Sequence, residues 1–244
     1  MSIFYASGDI VMGDIFCVHT NEDLDSATFD ILKGYLSLEK RSKLERYYHF
    51  KDAQRGLFSE LLIRYIIRKK GYLGQEIHFE VNRYGKPSFS KIPEFEFNIS
   101  HSGEWIVCAV DQHPVGIDVE LISAIDFDIA HQFFTTKECK YIFSSDEQKL
   151  SRFYEIWTLK ESYIKAIGQG LSIPLNSFSI IKHDSYFTVE TEKLMDGPIY
   201  LSQIQLDTAY KLAVCSYNRN ITNQLSLVSP ANLIEYTLKE NYSF

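Results

Sequence analysis

Asp118 and Glu120 stand two residues apart in Gly116-Ile117-Asp118-Val119-Glu120, a run whose alternation predicts a strand over 115–120. Side chains at that spacing leave a strand on one face, so both carboxylates face the same way while Val119 turns to the core. Paired acids at a strand end suit a hard divalent cation that keeps some of its water and takes phosphate oxygens at its remaining positions. The plain alternative is a solvated strand face. A second cluster is Trp157-Thr158-Leu159-Lys160-Glu161-Ser162-Tyr163-Ile164-Lys165. At about 100° per residue, Phe153, Ile156, Trp157, Ile164 and Ile167 form one apolar stripe of a helix, with Lys160 near its centre and Glu161 and Lys165 flanking it. An unpaired ammonium in such a stripe would cost several kcal/mol, so either Lys160 meets a carboxylate or the stripe borders a polar cleft. For Glu161 and Lys165, four apart on one ridge, the ordinary reading is a surface helix pair worth about 0.2–0.5 kcal/mol.

Two further stretches offer anion-binding groups. Tyr84-Gly85-Lys86-Pro87 is a glycine-containing turn with a cation, and Asn98-Ile99-Ser100-His101-Ser102-Gly103 is a strand end with hydroxyls, an imidazole and open backbone N–H groups. Taken alone, the second is a hairpin turn with a solvated histidine. It lacks the Gly-x-Ser-x-Gly elbow of a serine hydrolase. Lys40 and Lys43 share one face of a basic helix, which is either a solvated surface or a lure for phosphate that Arg55 reinforces from the next helix.

The elements that must position these residues are legible as a repeated order. Helices are predicted over 38–48 and from about Asp52 to a stop at Gly71, followed by strands over 77–81, 95–99 and 105–110, with 82–87 as turn and loop. After the strand at 115–120 come helices opened by two capping boxes, Thr135-x-x-Glu138 and Ser144-x-x-Glu147, the last running to Ile167 before Gly168. Strands are predicted over 178–181, 186–190, 199–206 and 210–216, and the tail from Ser229 forms a short helix and frayed end. Helices then strands, twice, suggest an α+β fold built from a duplicated unit, with halves at 1–112 and 113–244 meeting near Gln112-His113-Pro114.

Composition excludes several classes. At 244 residues and 45 % hydrophobic, the chain can bury a core unaided, and a net charge of −7 disfavours nucleic acid as a partner. Cys17, Cys108, Cys139 and Cys215 are scattered, with no CxxC pair, so structural zinc and a disulfide framework are disfavoured and a reducing compartment is expected. The start has no signal-peptide pattern and no stretch approaches the roughly 20 apolar residues of a membrane span. A cytoplasmic protein with no membrane partner is the expectation.

Taken in order, Ser37-Leu38-Glu39-Lys40-Arg41, Phe97-Asn98-Ile99-Ser100-His101-Ser102-Gly103, Gly116-Ile117-Asp118-Val119-Glu120, the Trp157 cluster and Gly170-Leu171-Ser172-Ile173-Pro174-Leu175 resemble the motifs of the surfactin-type, long-form 4′-phosphopantetheinyl transferases. The resemblance implies two similar α+β halves related by a pseudo-twofold, a monomer with an internal pseudo-dimer, and coenzyme A in the cleft between the halves. It implies transfer of the phosphopantetheine arm of coenzyme A to a serine of an acyl or peptidyl carrier protein, releasing 3′,5′-ADP. Asp118, Glu120 and Glu161 would hold Mg2+, Lys165 would contact the diphosphate, and Ser100 and His101 would fix phosphate groups. Lys86, with Lys40, Lys43 and Arg55, would surround the 3′-phosphate and adenine end. Glu161, directly or through water, would take the serine proton. Gly56 departs from the pattern, standing where relatives often carry a hydroxyl residue facing the nucleotide. Two other classes share parts of this residue set: a Mg2+-dependent nucleotide-diphosphate hydrolase and a non-catalytic coenzyme A-binding module.

Overall fold

Strand alternation and helical stripes resolve, in a computed structural model describing residues 3–5, 13–72, 77–192, 197–219, 221 and 225–239, into β1 (Ile3–Tyr5), β2 (Ile15–His19), α1 (Ser26–Lys33), α2 (Leu38–Leu44) and α3 (Phe50–Lys69). A small hairpin of β3 (Glu80–Val81) and β4 (Pro87–Ser88) follows, then β5 (Glu96–Ser102), β6 (Trp105–Asp111) and β7 (Val115–Leu121). The chain continues through α4 (Asp128–Phe133), α5 (Thr136–Ile142), α6 (Lys149–Ile167), β8 (Phe178–Lys182), β9 (Phe187–Thr191), β10 (Tyr200–Ile204), β11 (Tyr210–Ser216), β12 (Leu225–Leu227) and α7 (Pro230–Lys239).

The strands form two five-stranded sheets, ordered β1-β12-β2-β6-β5 and β7-β11-β10-β9-β8. Period-two alternation sorts each strand between two cores. In the first sheet Phe16, Val18, Ile106, Cys108 and Val110 face α3 and its neighbours, while Ile15, Cys17, Trp105, Val107 and Ala109 face the other sheet. In the second sheet Val115, Ile117, Val119, Leu212 and Val214 meet them, while Ala213 and Cys215 turn to α6. The order of layers is therefore helices, sheet, sheet, helices. β12 lies parallel to both β1 and β2, and α7 packs on α3 with Tyr65 and Tyr236 edge to face at 5.0 Å. The last two elements thus return to the first sheet, although they follow the second in sequence.

Most predicted elements form, with shifted bounds. α2 stops at Leu44, short of position 48, and α3 opens at Phe50. Gly71 follows the cap residue of α3 with φ 91°, a conformation that a Cβ disfavours. The 77–81 strand shrinks to Glu80–Val81. The capping box at Thr135 is present, its backbone N–H reaching Glu138 Oε2 at 2.8 Å. The box at Ser144 is not: α6 opens at Lys149 behind Gln148 without a side-chain cap, and the Ser144 hydroxyl donates back to the Tyr141 carbonyl at 2.8 Å. β2, α1, α4 and β12 lacked a clear pattern, being short or buried on both faces. Residues 240–244 of the expected tail lie outside those described.

Candidate active site

α6 brings the second cluster to the first. It packs across β7 because residue 116 has no side chain: a Cβ there would stand 2.0 Å from the Ser162 carbonyl oxygen and 2.4 Å from the Ala166 nitrogen. Helix backbone thereby lies directly on the strand, and the α6-facing side of β7 presents Asp118 and Glu120 to Glu161 and Lys165. Val119 is fully buried behind them.

Lys165 is not a surface partner of Glu161. Its Nζ donates to Asp118 Oδ1 at 2.5 Å, to Ser100 Oγ at 3.1 Å and to the Ile117 carbonyl at 3.4 Å. Asp118 is 2 % exposed, and its Oδ2 is buried with no hydrogen-bond partner. Burial raises the Asp118 pKa, opposed by the Lys165 charge and by hydrogen bonds from Lys165 and Ser100. Glu120 accepts from Ser102 Oγ at 2.8 Å; burial and the Asp118 charge nonetheless raise its pKa. Glu161 is pushed up to about 7 by burial and then by the Asp118 and Glu120 carboxylates, with Lys165 pulling the other way.

A cleft of about 460 Å³ joins these groups. Ser100, His101, Asp118, Glu120, Glu161 and Lys165 line its polar side, and Phe133, Trp157 and Leu171 its apolar side. The other four candidates stand outside that lining. Lys40 pairs with Glu60 at 3.2 Å, and Lys43 is exposed on α2. Arg55 donates to the Gly103 carbonyl at 2.8 Å and pairs with Asp52. Lys86 donates to the carbonyls of Val115 and Ala166, both at 3.2 Å, so it caps the end of α6 while Asn82 donates to the Gly168 carbonyl at 2.8 Å. Gly56 lies under α2 and the loop that follows it: a Cβ would stand 2.8 Å from the Leu44 side chain and 3.3 Å from the Tyr47 ring.

Lys160 takes the first of its two alternatives. It is fully buried, 2.6 Å from Glu138 Oε1 and 2.7 Å from the Phe178 carbonyl, outside the cleft. Sequence reasoning missed the role of Ser102 as a donor to Glu120. The signal for Ser102 was the period-two polar row Asn98, Ser100, Ser102.

The donor set suits a hard cation, being all oxygen, under-compensated and holding an orphaned buried oxygen at Asp118 Oδ2. Among the described residues no three carboxylate, thiol or imidazole side chains form a ready-made metal cage. Lys165 supplies the positive charge at Asp118. Among the same residues no helix is long and apolar enough to cross a membrane.

The chain matches two family models in succession: the N-terminal domain of 4′-phosphopantetheinyl transferases over residues 25–113 and the 4′-phosphopantetheinyl transferase superfamily over residues 114–215. It is 35 % identical over 223 residues to the 4′-phosphopantetheinyl transferase Sfp of Bacillus subtilis, covering 90 % of this chain and 99 % of that one. It is 40 % identical over 240 residues to the 4′-phosphopantetheinyl transferase gsp of Aneurinibacillus migulanus, covering 96 % of this chain and all of the relative.

Proposed function

The chain belongs to the 4′-phosphopantetheinyl transferase superfamily, and from that premise we propose that it transfers the phosphopantetheine arm of coenzyme A to a serine of an acyl or peptidyl carrier protein, with Mg2+ as cofactor and 3′,5′-ADP as the second product. The observation that carries the reading is the convergence of Asp118, Glu120, Glu161 and Lys165 on one cleft, with a buried carboxylate oxygen left unpaired. Asp118, Glu120 and Glu161 would hold Mg2+, which when bound offsets the charge of the coenzyme A diphosphate and polarises its oxygens.

The chain's own groups divide the remaining work. Glu161 lines the cleft beside Asp118 and Glu120, and directly or through a water it takes the proton of the attacking serine hydroxyl. Lys165, between Asp118 and Ser100, offers a charged donor to phosphate oxygen as charge builds toward the leaving 3′,5′-ADP. Ser100, buried in the cleft wall, and the more exposed His101 orient the phosphates. Lys40, Lys43, Arg55 and Lys86 serve the 3′-phosphate and adenine end. The nucleophile comes from the carrier, which accounts for a cleft without an activated serine or cysteine. This chain carries a net charge of −7, and docking rests on local apolar contact, for which Leu171, 76 % exposed on the cleft wall, and Phe133 are suited.

Mass spectrometry of apo carriers incubated with the protein, coenzyme A and Mg2+ tests the proposal. Addition of one phosphopantetheine arm to the carrier serine, abolished by Glu161→Gln, is expected. Unmodified acyl and peptidyl carriers would refute it, and rapid 3′,5′-ADP release without any carrier would point to a hydrolase.

A further inference from the structure

β5 and β7 are edge strands of different sheets, yet they lie side by side. Alternate N–H groups of an antiparallel strand point to opposite edges, so those of Ile117, Val119 and Leu121 face away from β11 and have no ladder partner. Side chains of β5 take their place. Asn98 Oδ1 accepts from Ile117 N at 2.8 Å, Ser100 Oγ from Val119 N at 3.5 Å and Ser102 Oγ from Leu121 N at 3.1 Å. Each hydroxyl also donates to the carboxylate on the residue preceding its N–H: Ser100 to Asp118 Oδ1 at 2.9 Å, Ser102 to Glu120 Oε2 at 2.8 Å. One polar row therefore both closes the strand edge and aims the two acids.

We propose that Ser102 is the positioning residue of Glu120, its hydroxyl locking the carboxylate to the β7 edge so that the other oxygen is presented to the cation. This rests on the reading of Asp118, Glu120 and Glu161 as the metal-holding set. On this reading Ser102 acts through Glu120 and not by its own contact with substrate or cation. Its hydroxyl hydrogen goes to Glu120, an acceptor-only carboxylate when ionised, while a lone pair accepts from Leu121 N.

The test is titration of Mn2+ into the full chain with saturating coenzyme A, free Mn2+ being read from its EPR signal. Ser102→Ala is expected to weaken Mn2+ binding by about 10- to 100-fold, as loss of such a supporting partner does at other metal sites, and Ser102→Thr to restore it. In a Glu120→Gln background the Ser102→Ala change should add less than about twofold, since the hydroxyl acts through that carboxylate. Should Ser102→Ala fail to fold, Ser102→Cys, with a weaker donor of similar size, carries the same comparison. Wild-type Mn2+ affinity in the Ala or Cys variant, or an undiminished effect in the Glu120→Gln background, overturns the proposal alone. A wild-type protein without saturable Mn2+ binding overturns the metal reading and this proposal with it.

Discussion

Removing the Lys165 ammonium separates the two accounts of that residue. As a surface partner of Glu161 it would be worth a few tenths of a kcal/mol. Its Nζ instead meets Asp118 at 2.5 Å, where the Asp118 side chain is 3 % and the Lys165 side chain 27 % exposed. Breaking a buried pair typically costs about 3–5 kcal/mol, and the partial exposure of Lys165 together with the remaining Ser100 bond places Lys165→Ala at the lower end, about 3 kcal/mol at neutral pH. In a chain of this size each kcal/mol moves Tm by about 2–4 °C, so calorimetry should show a fall of roughly 6–12 °C. The sign with pH is fixed. Burial already raises the Asp118 pKa, and losing Lys165 raises it further. A carboxyl raised in the folded state destabilises it as pH climbs through that value, so the deficit against wild type grows toward pH 8 and shrinks as Asp118 protonates in acid. Activity should fall by about 10²-fold or more in kcat, the usual consequence of removing a charged donor from a preorganised site. Lys165→Arg should recover stability better than turnover, because a planar fork fits poorly where a compact charge is shared between Asp118 and Ser100. A Lys165→Ala protein with unchanged Tm and kcat within twofold of wild type, both substrates saturating, would refute the reasoning.

Glu161, raised from the usual 4.5 to about 7, contributes most to stability below pH 4.5 and progressively less as pH rises through 7. A cation that favours its ionised form reverses this loss, so Mg2+ should raise Tm more at pH 8 than at pH 5.5; equal shifts would count against Glu161 as a metal contact. Lys160→Met leaves Glu138 buried without its counter-ion and should cost about 3–5 kcal/mol by urea titration, partly recovered when combined with Glu138→Gln. An unaffected single variant would contradict the burial of that pair. Gly116→Ala forces a methyl group against the α6 backbone and should lower stability by at least about 3 kcal/mol; a wild-type urea midpoint would show that α6 does not rest on β7. Lys86→Ala should raise KM for coenzyme A if the turn serves the nucleotide and lower kcat if its bonds to the α6 end matter more, a split that steady-state kinetics reads directly.

The acids of β7 were legible because period two is unambiguous in a strand with one helix-facing side, and α6 was legible from its length and its glycine stop. Lys160 announced itself as a charge in an apolar stripe, but its partner Glu138 lies on another helix, hidden as an ordinary capping residue. Lys165 was misjudged by the local rule, since i, i+4 spacing to Glu161 says nothing of the strand beneath that offers Asp118. The false capping box at Ser144 failed for a similar reason. A Ser-x-x-Glu pattern specifies a cap only if helix follows, and here the turn closes through the Ser144 hydroxyl on Tyr141. Cross-sheet bonds such as Ser102 to Glu120 join residues 18 apart through an edge-to-edge approach; the polar row on β5 marks the donors but does not encode which strand they meet.

The return of β12 between β1 and β2 has a consequence for biosynthesis. A ribosome delivers β2, β5 and β6 long before Leu225–Leu227 emerges, so while the second sheet can pair all its strands by Ser216, the first has an open slot beside β2 until Leu225–Leu227 has been made. Folding order thus inverts chain order: the portion synthesised first is completed last. Such a nascent intermediate exposes the β2 edge to any extended segment nearby, making the interval before β12 arrives the period of greatest aggregation hazard.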